Sequence, residues 1–249
     1  SLSSKSSTPS LDFKASRELF TMATGAAALA FGAELRREKF AYDPSVAIQT
    51  GDIAGLGGNA FPVVGQRNVE SAYAEINVPL FRKFDVDGAV RYDNYQGVGS
   101  TVNPKASIRW QPSNAVLFRS SVGTGFRAPS LTDLYTPQAT SVTSNGTRDP
   151  IRCPNIATGA ATDCSFQFTT FTGGNPNLQP EKSLSYTAGI LLEPIKELSV
   201  SFDAFRVNLK NAIVVGGLSS NYLLANADRA TPYAAFIQRG APDGNASGV

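Results

Sequence analysis

The 249-residue chain carries 22 Lys and Arg against 20 Asp and Glu, a net charge of +2, too even for a nucleic-acid footprint or a polybasic membrane patch. It has no histidine, which removes the usual general base and the commonest metal ligand and leaves ordinary serine, cysteine or zinc hydrolase chemistry a poor fit. No run of eighteen apolar residues occurs, which argues against a helical membrane span but not against a barrel, whose strands need only about ten residues apolar on one side.

The opening SLSSKSSTPS reads as part of a loop or turn, without the charged start and apolar core of a signal peptide. In TMATGAAALAFGAELRREKFAY the Ala and Leu content suits a helix. Alternation of Leu29, Phe31, Ala33 and Leu35 against Ala30, Gly32, Glu34 and Arg36 favours a strand instead, and Gly25 and Gly32 weaken a helix. GDIAGLGGNAFPVVGQRN at 51–68 reads as a long loop, and its glycines lack the spacing and lysine of a phosphate loop.

From residue 69 the chain alternates with period two. Ala72, Ala74, Ile76, Val78 and Leu80 oppose Tyr73, Glu75 and Asn77. Phe84, Val86, Gly88, Val90 and Tyr92 oppose Asp85, Asp87, Arg91 and Asp93. Ala106, Ile108 and Trp110 then face away from Lys105, Ser107, Arg109 and Gln111, and Val116, Phe118, Ser120 and Val122 from Leu117, Arg119, Ser121 and Gly123. After a gap, Leu184, Tyr186, Ala188 and Ile190 oppose Ser183, Ser185, Thr187 and Gly189, and Val200, Phe202 and Ala204 oppose Ser199, Ser201 and Asp203, with the pattern blurring from Phe205.

The apolar side is smooth and rich in Ala, Val, Ile and Gly, with aromatics near strand ends at Phe81, Phe84, Tyr92, Tyr95, Trp110 and Tyr186. Lipid outside, a polar lumen inside and rings at the interfaces would select that pattern, whereas a sandwich core wants larger residues. The connections alternate in length: short turns at 80–85, 111–114 and 192–197, long segments at 51–68, 94–103 and 124–182. Short turns at one rim and long loops at the other are the asymmetry of an outer-membrane barrel. Within the longest segment, Cys153 and Cys164 read as a small disulfide loop formed in an oxidising compartment, the alternatives being a two-ligand metal site or two unrelated thiols.

SSVGTGFRAPSLTDLY at 120–135, GNPNLQPE at 174–181, then KSLSYTAGI and SVSFDAFRVNLKNAI resemble the barrel of TonB-dependent outer-membrane receptors. The upstream AYAEINVPLF, AVRYDNY and NPKASIRWQP are similar to earlier pieces of that barrel in the same order, so the likeness spans roughly residues 17–220. The resemblance implies an all-β fold: an antiparallel transmembrane β-barrel of about 22 strands filled by a plug domain. The alternation places only about seven to ten strands here, so residues 1–249 are expected to be a partial barrel domain, an internal portion without the plug.

It further implies a Gram-negative outer membrane, surrounding lipid, and active uptake of a scarce nutrient such as a ferric siderophore. The plug and an inner-membrane-anchored TonB protein, acting through a segment ahead of the plug, would be the partners; no cofactor, catalytic residue or metal is implied. The short turns would then be periplasmic and the long loops extracellular. Ligand-contact candidates in those loops are Phe126, Arg127, Tyr135, Phe166, Phe168 and Phe171, with anchoring to the rim the alternative for the rings. Arg127 would pair with a loop or plug carboxylate or stand exposed at the rim. Arg91, Arg109 and Arg119 are plug-facing candidates, the alternative being a hydrated lumen wall. Asp85 and Asp87 share a face as a glycosidase pair might, but alternation already explains them. A secreted β-rich binding or adhesion protein is the rival reading.

Overall fold

The computed structural model describes residues 2–53, 58–153, 164, 167–214, 219–226, 233 and 236–237. Its strands are β1 Leu2–Ser7, β2 Ser10–Met22, β3 Gly25–Pro44, β4 Val63–Phe81, β5 Phe84–Tyr95, β6 Gly99–Ser113, β7 Val116–Arg127, β8 Ala139–Val142, β9 Thr169–Thr172, β10 Glu181–Ile195 and β11 Leu198–Lys210. The short helices α1 Val46–Thr50, α2 Leu131–Tyr135 and α3 Ser220–Asn226 lie between or after them. Nine strands form one antiparallel sheet in the order β1-β3-β4-β5-β6-β7-β10-β11, with β2 also on β3, and β8 and β9 form a separate hairpin. Among the described residues the sheet is open, with no closed 22-stranded barrel and no plug.

Several boundaries differ from the expectation. The opening residues are strand, not loop: Leu2 to Ser7 pair with Pro44 to Lys39, and Ser10 resumes the same register against Arg36. β1 and β2 are thus one line interrupted at Thr8 and Pro9. Proline has no N–H to give the ladder, yet its carbonyl still accepts from the Arg37 N–H at 3.0 Å. The 51–68 loop is shorter than expected because β4 already begins at Val63. Here Val63, Gly65, Arg67, Val69 and Ser71 alternate as buried positions, and Gly and Arg among them hid the period.

The 94–103 loop shrinks to Gln96, Gly97 and Val98, because β5 runs to Tyr95 and β6 starts at Gly99. Gly97 at φ 80° makes this tight turn possible. The 124–182 segment is not structureless, since it holds the end of β7, α2, the β8–β9 hairpin and the start of β10. Nor does the last strand fade at Phe205, for its register on β10 continues to Lys182↔Lys210.

Register aligns the apolar positions into rows across the sheet. Phe84, Trp110, Phe118, Ile190 and Phe202 are successive cross-strand partners, with Trp110 stacked on Phe118 at 5.4 Å. Tyr95 departs from the expected girdle: it is on the charged face, beside Arg36 and Arg67. On the apolar face Ile108, Trp110 and Phe202 remain 43%, 45% and 63% exposed, so no described element covers it as the second sheet of a sandwich would. No helix among the described residues is long and apolar enough to span a membrane.

Candidate functional site

At the rim opposite the short turns, the charged face carries an alternating chain of guanidinium and carboxylate groups. It begins at GAELRREKF, where period two puts Glu34, Arg36 and Glu38 on one side of β3. Register sets Glu38 opposite Arg67 and Glu34 opposite Ser71, and Ser71 in turn opposite Asp93. Arg36 bridges Glu34 at 2.8 Å and Glu38 at 3.1 Å. Arg91 reaches Asp93 at 2.9 Å and Glu34 at 3.4 Å, and the Ser71 hydroxyl donates to Asp93 at 2.6 Å.

Arg67 ends the chain and is only 6% exposed. Its Nε donates to Glu38 at 2.6 Å, its second nitrogen donates to the Pro129 carbonyl at 2.6 Å, and its plane lies 4.9 Å from the Tyr95 ring centre. The guanidinium thereby reads the backbone of FRAPS. Beyond Pro129 the chain folds onto β4: Ser130 caps α2 by accepting from the Asp133 N–H while the Asp133 carboxylate accepts from the Ser130 N–H. Leu131 and Leu134 are buried, and Tyr135 and Leu131 lie over Gly65, where a Cβ would come within 2.9 Å of the Tyr135 ring. The missing side chain of Gly65 leaves the room in which α2 lies on the wall.

The end of β7 is fastened separately. Arg127 donates twice to Glu181, at 2.6 and 2.8 Å, and the same carboxylate accepts from the Ile213 N–H at 2.7 Å. First Arg127, then the Ile213 amide, hold the Glu181 carboxyl at about 2 against an ordinary 4.5. A lowered pKa means that this tie is fully present above about pH 4.5 and is lost as pH falls towards 2. Protease resistance at this rim is therefore expected to hold at pH 5 and to decline between pH 4.5 and 2, a decline missing from Glu181→Gln. A decline of equal size in that variant would assign it to other carboxylates.

The other candidates are placed as follows. Phe126 lies against Tyr95, ring centres 5.4 Å apart. Tyr135 and Phe171 are exposed, Phe168 is buried within the loop, and Phe166 lies outside the described residues. Cys153 and Cys164 form a disulfide with Cα atoms 5.2 Å apart, which closes the small loop. Arg91, Arg109 and Arg119 share the charged face, and Arg109 and Arg119 are direct cross-strand neighbours. Each has a partner in the sheet: Arg109 has Asp85 at 3.4 Å and Arg119 has Asp203 at 2.7 Å. Asp87 accepts from Asn77 at 2.7 Å and Ser107 at 3.2 Å, so it and Asp85 have separate structural partners. No cluster of metal-ligating groups occurs among the described residues. Sequence reasoning missed Arg67, Glu38 and the pairing of Glu181; the alternating charges of GAELRREKF were the available signal for the first two.

An open antiparallel wall with one uncovered apolar face, one charged face and a loop folded inward at one rim has the build of a piece of an outer-membrane β-barrel. The chain belongs to the TonB-dependent receptors: residues 2–232 match the family model described as "TonB dependent receptor-like, beta-barrel". Its members are outer-membrane transporters, not enzymes.

Solved structures agree on the fold. The chain is similar to a variant of the ferric enterobactin receptor PfeA of Pseudomonas aeruginosa, with TM-score 0.63 and 20% identity over 83% of this chain and 27% of that one. It is similar also to the siderophore receptor PirA of Pseudomonas aeruginosa, with TM-score 0.57 and 19% identity over 83% of this chain and 32% of that one. The RagAB peptide transporter matches with TM-score 0.53 and 14% identity, over 84% of this chain and 24% of that one. The chain therefore spans about a third or less of the length of the structures it matches. No curated protein matches it significantly.

Proposed function

We propose that this sheet is the wall and outer mouth of a receptor that takes up a scarce organic nutrient, a ferric siderophore or a similar ligand, across the outer membrane with energy from TonB. The observation that carries the reading is the inward fold of residues 128–135, which Arg67 ties to the charged face at the loop rim. A wall element that only enclosed a lumen would have no need of a built mouth. In this reading the short turns at 82–83, 114–115 and 196–197 are periplasmic and the long connections extracellular. The plug rests against the face bearing Arg91, Arg109 and Arg119, and Arg127, Tyr135 and Phe171 belong to the ligand's side of the rim. Two of the similar structures are described as a ferric enterobactin receptor and a siderophore receptor, which makes a ferric complex the first ligand to try.

The test is uptake of radioactive iron, supplied as ferric siderophores, by cells with and without the full-length gene. Expected is a component of uptake that disappears on deletion, returns on complementation and stops when the proton gradient is collapsed. Uptake that is indifferent to deletion across ferric siderophores, and to the gradient, would overturn the reading.

A further inference from the structure

The connection between β7 and β10 is tied down on both sides of one short turn. Ahead of it Thr143 is buried; its N–H donates to the Phe168 carbonyl and its hydroxyl accepts from the Phe168 N–H, both at 2.9 Å. Behind it Asp149 is buried, and its carbonyl accepts at 2.8 Å from the N–H of Cys153, the residue that closes the disulfide with Cys164. Ser144 to Thr147 make the turn. Thr147 is buried, and its N–H and its hydroxyl both donate to the Ser144 carbonyl, at 3.3 and 2.7 Å. Gly146 takes the position that requires a positive φ, at 79°.

The two residues at the tip differ from their surroundings. Asn145 and Gly146 are exposed, and neither the Asn145 amide nor the Gly146 N–H has a hydrogen-bond partner among the described residues. Turn chemistry accounts for the dipeptide. It also sets a nucleophile beside an electrophile, because the main-chain nitrogen that follows an asparagine can reach the side-chain carbonyl carbon, and glycine alone brings no Cβ into that path. Asn145–Gly146 is the one asparagine–glycine step in the 249 residues. The other asparagines precede residues with side chains, and Asn103 and Asn175 precede prolines, which have no N–H to lose. A related step, Asp87–Gly88, lies inside β5, where Gly88 is paired on both sides, with Ile76 and with Ala106.

We propose that Asn145 is a self-modifying site, converted with water as the sole co-reactant into aspartate and isoaspartate. The Gly146 nitrogen attacks the Asn145 Cγ, its proton leaves with the side-chain nitrogen as ammonia, and a five-membered imide closes. Water then opens the imide at one of its two carbonyls. Opening at Cγ gives aspartate on an unchanged main chain. Opening at the main-chain carbonyl gives isoaspartate, whose main chain runs through Cβ and is one atom longer. Either product carries a new carboxylate, so the net charge falls by one from +2. The longer chain cannot keep both Thr147 donors on the Ser144 carbonyl, so isoaspartate opens the turn at the neck of the disulfide loop. The inference rests on the turn and not on the uptake reading. A receptor that transported nothing would age at Asn145 all the same.

The test follows the detergent-purified full-length receptor through incubation at mildly alkaline pH, where the attacking nitrogen loses its proton more readily. The tryptic fragment 128–148 has Asn145 as its only asparagine. Relative to the unincubated sample it is expected to gain about 1 Da, the balance of water taken up and ammonia lost, and to split into two species, one of them a substrate of isoaspartyl methyltransferase. Fragments holding Asn59, Asn114 and Asp87–Gly88 should stay unchanged, and Asn145→Gln should abolish the gain. In hydrogen exchange the isoaspartyl form should lose about fivefold of the protection of the Thr147 N–H, the scale of one hydrogen bond, while the Thr143 N–H keeps its own. Asn145→Asp, which adds the charge without the extra atom, should retain the Thr147 protection. A fragment that stays unmodified while a synthetic peptide of the same sequence converts overturns the proposal, as does equal conversion at Asn59 or Asn114. Thr147 protection lost equally in Asn145→Asp, or kept in the isoaspartyl form, overturns the opening of the turn.

Discussion

Arg67→Ala is expected to open the mouth of the wall. The guanidinium is buried and joins Glu38 to the Pro129 carbonyl, so truncation removes two hydrogen bonds and leaves Glu38 short of a partner. Removing one partner of a buried pair costs about 3–5 kcal/mol. Glu38 is 21% exposed and keeps Arg36 at 3.1 Å, which lowers the expected loss to about 2–3 kcal/mol. The loss falls on the local opening of residues 128–136 and leaves the strand ladder in place. Hydrogen exchange should show it as a roughly 30- to 150-fold drop in protection, at the Leu134 and Thr136 amides, which donate to Ser130 and Thr132. Arg67→Lys should recover part of that protection, because an ammonium supplies the charge without the planar fork. Protection unchanged in Arg67→Ala would mean that Leu131 and Leu134 hold the segment unaided.

Gly174→Ala should have an effect of similar size from the opposite direction. The return from the long loop passes against the end of α2, where the Gly174 N–H donates to the Thr136 carbonyl at 2.7 Å and the Asn175 N–H to the Asp133 carbonyl at 2.8 Å. A Cβ on Gly174 would meet the Leu134 carbonyl carbon and the Thr136 nitrogen at 2.8 Å each. Both are backbone atoms, with no rotamer by which to yield, so the two segments must separate at about 1–3 kcal/mol. Limited proteolysis should then cut between residues 134 and 176 in the variant under conditions that leave the parent whole. Gly88→Ala is the matched control, since its Cβ would meet only Ile76, at 3.6 Å. Equal resistance in the Gly174 variant and in the control would show that α2 and the return strand move independently.

Most of the wall was legible because lipid and water ask for opposite side chains on alternate residues. From Ala72 to Ala204 that demand is met with few exceptions, and the register confirms which residues share a face. Legibility failed where the strands rise past the apolar band. In β1 and the ends of β3 and β4 polar and apolar residues share both faces, so Lys5 against Ala41 or Gln66 against Lys39 leaves no clear periodic trace. The site was harder still. Arg67 and Glu38 are 29 residues apart and Arg67 and Pro129 are 62 apart, and only the pairing of β3 with β4 and the inward turn after β7 bring them together. Arg127 was singled out, but its partner Glu181 was not, because 54 residues separate the two.

The strands also differ in height. β3 and β4 have 20 and 19 residues, whereas β5 has 12, and all three begin or end at the same short-turn edge. At about 3.3 Å per residue the first pair stands roughly 25 Å taller. The described rim is consequently a slope and not a ring. The flank of β3 and β4 stands above Tyr95 like a windbreak, on one side only. Bulky particles, antibodies among them, would be sorted by the direction of their approach before any chemical recognition begins.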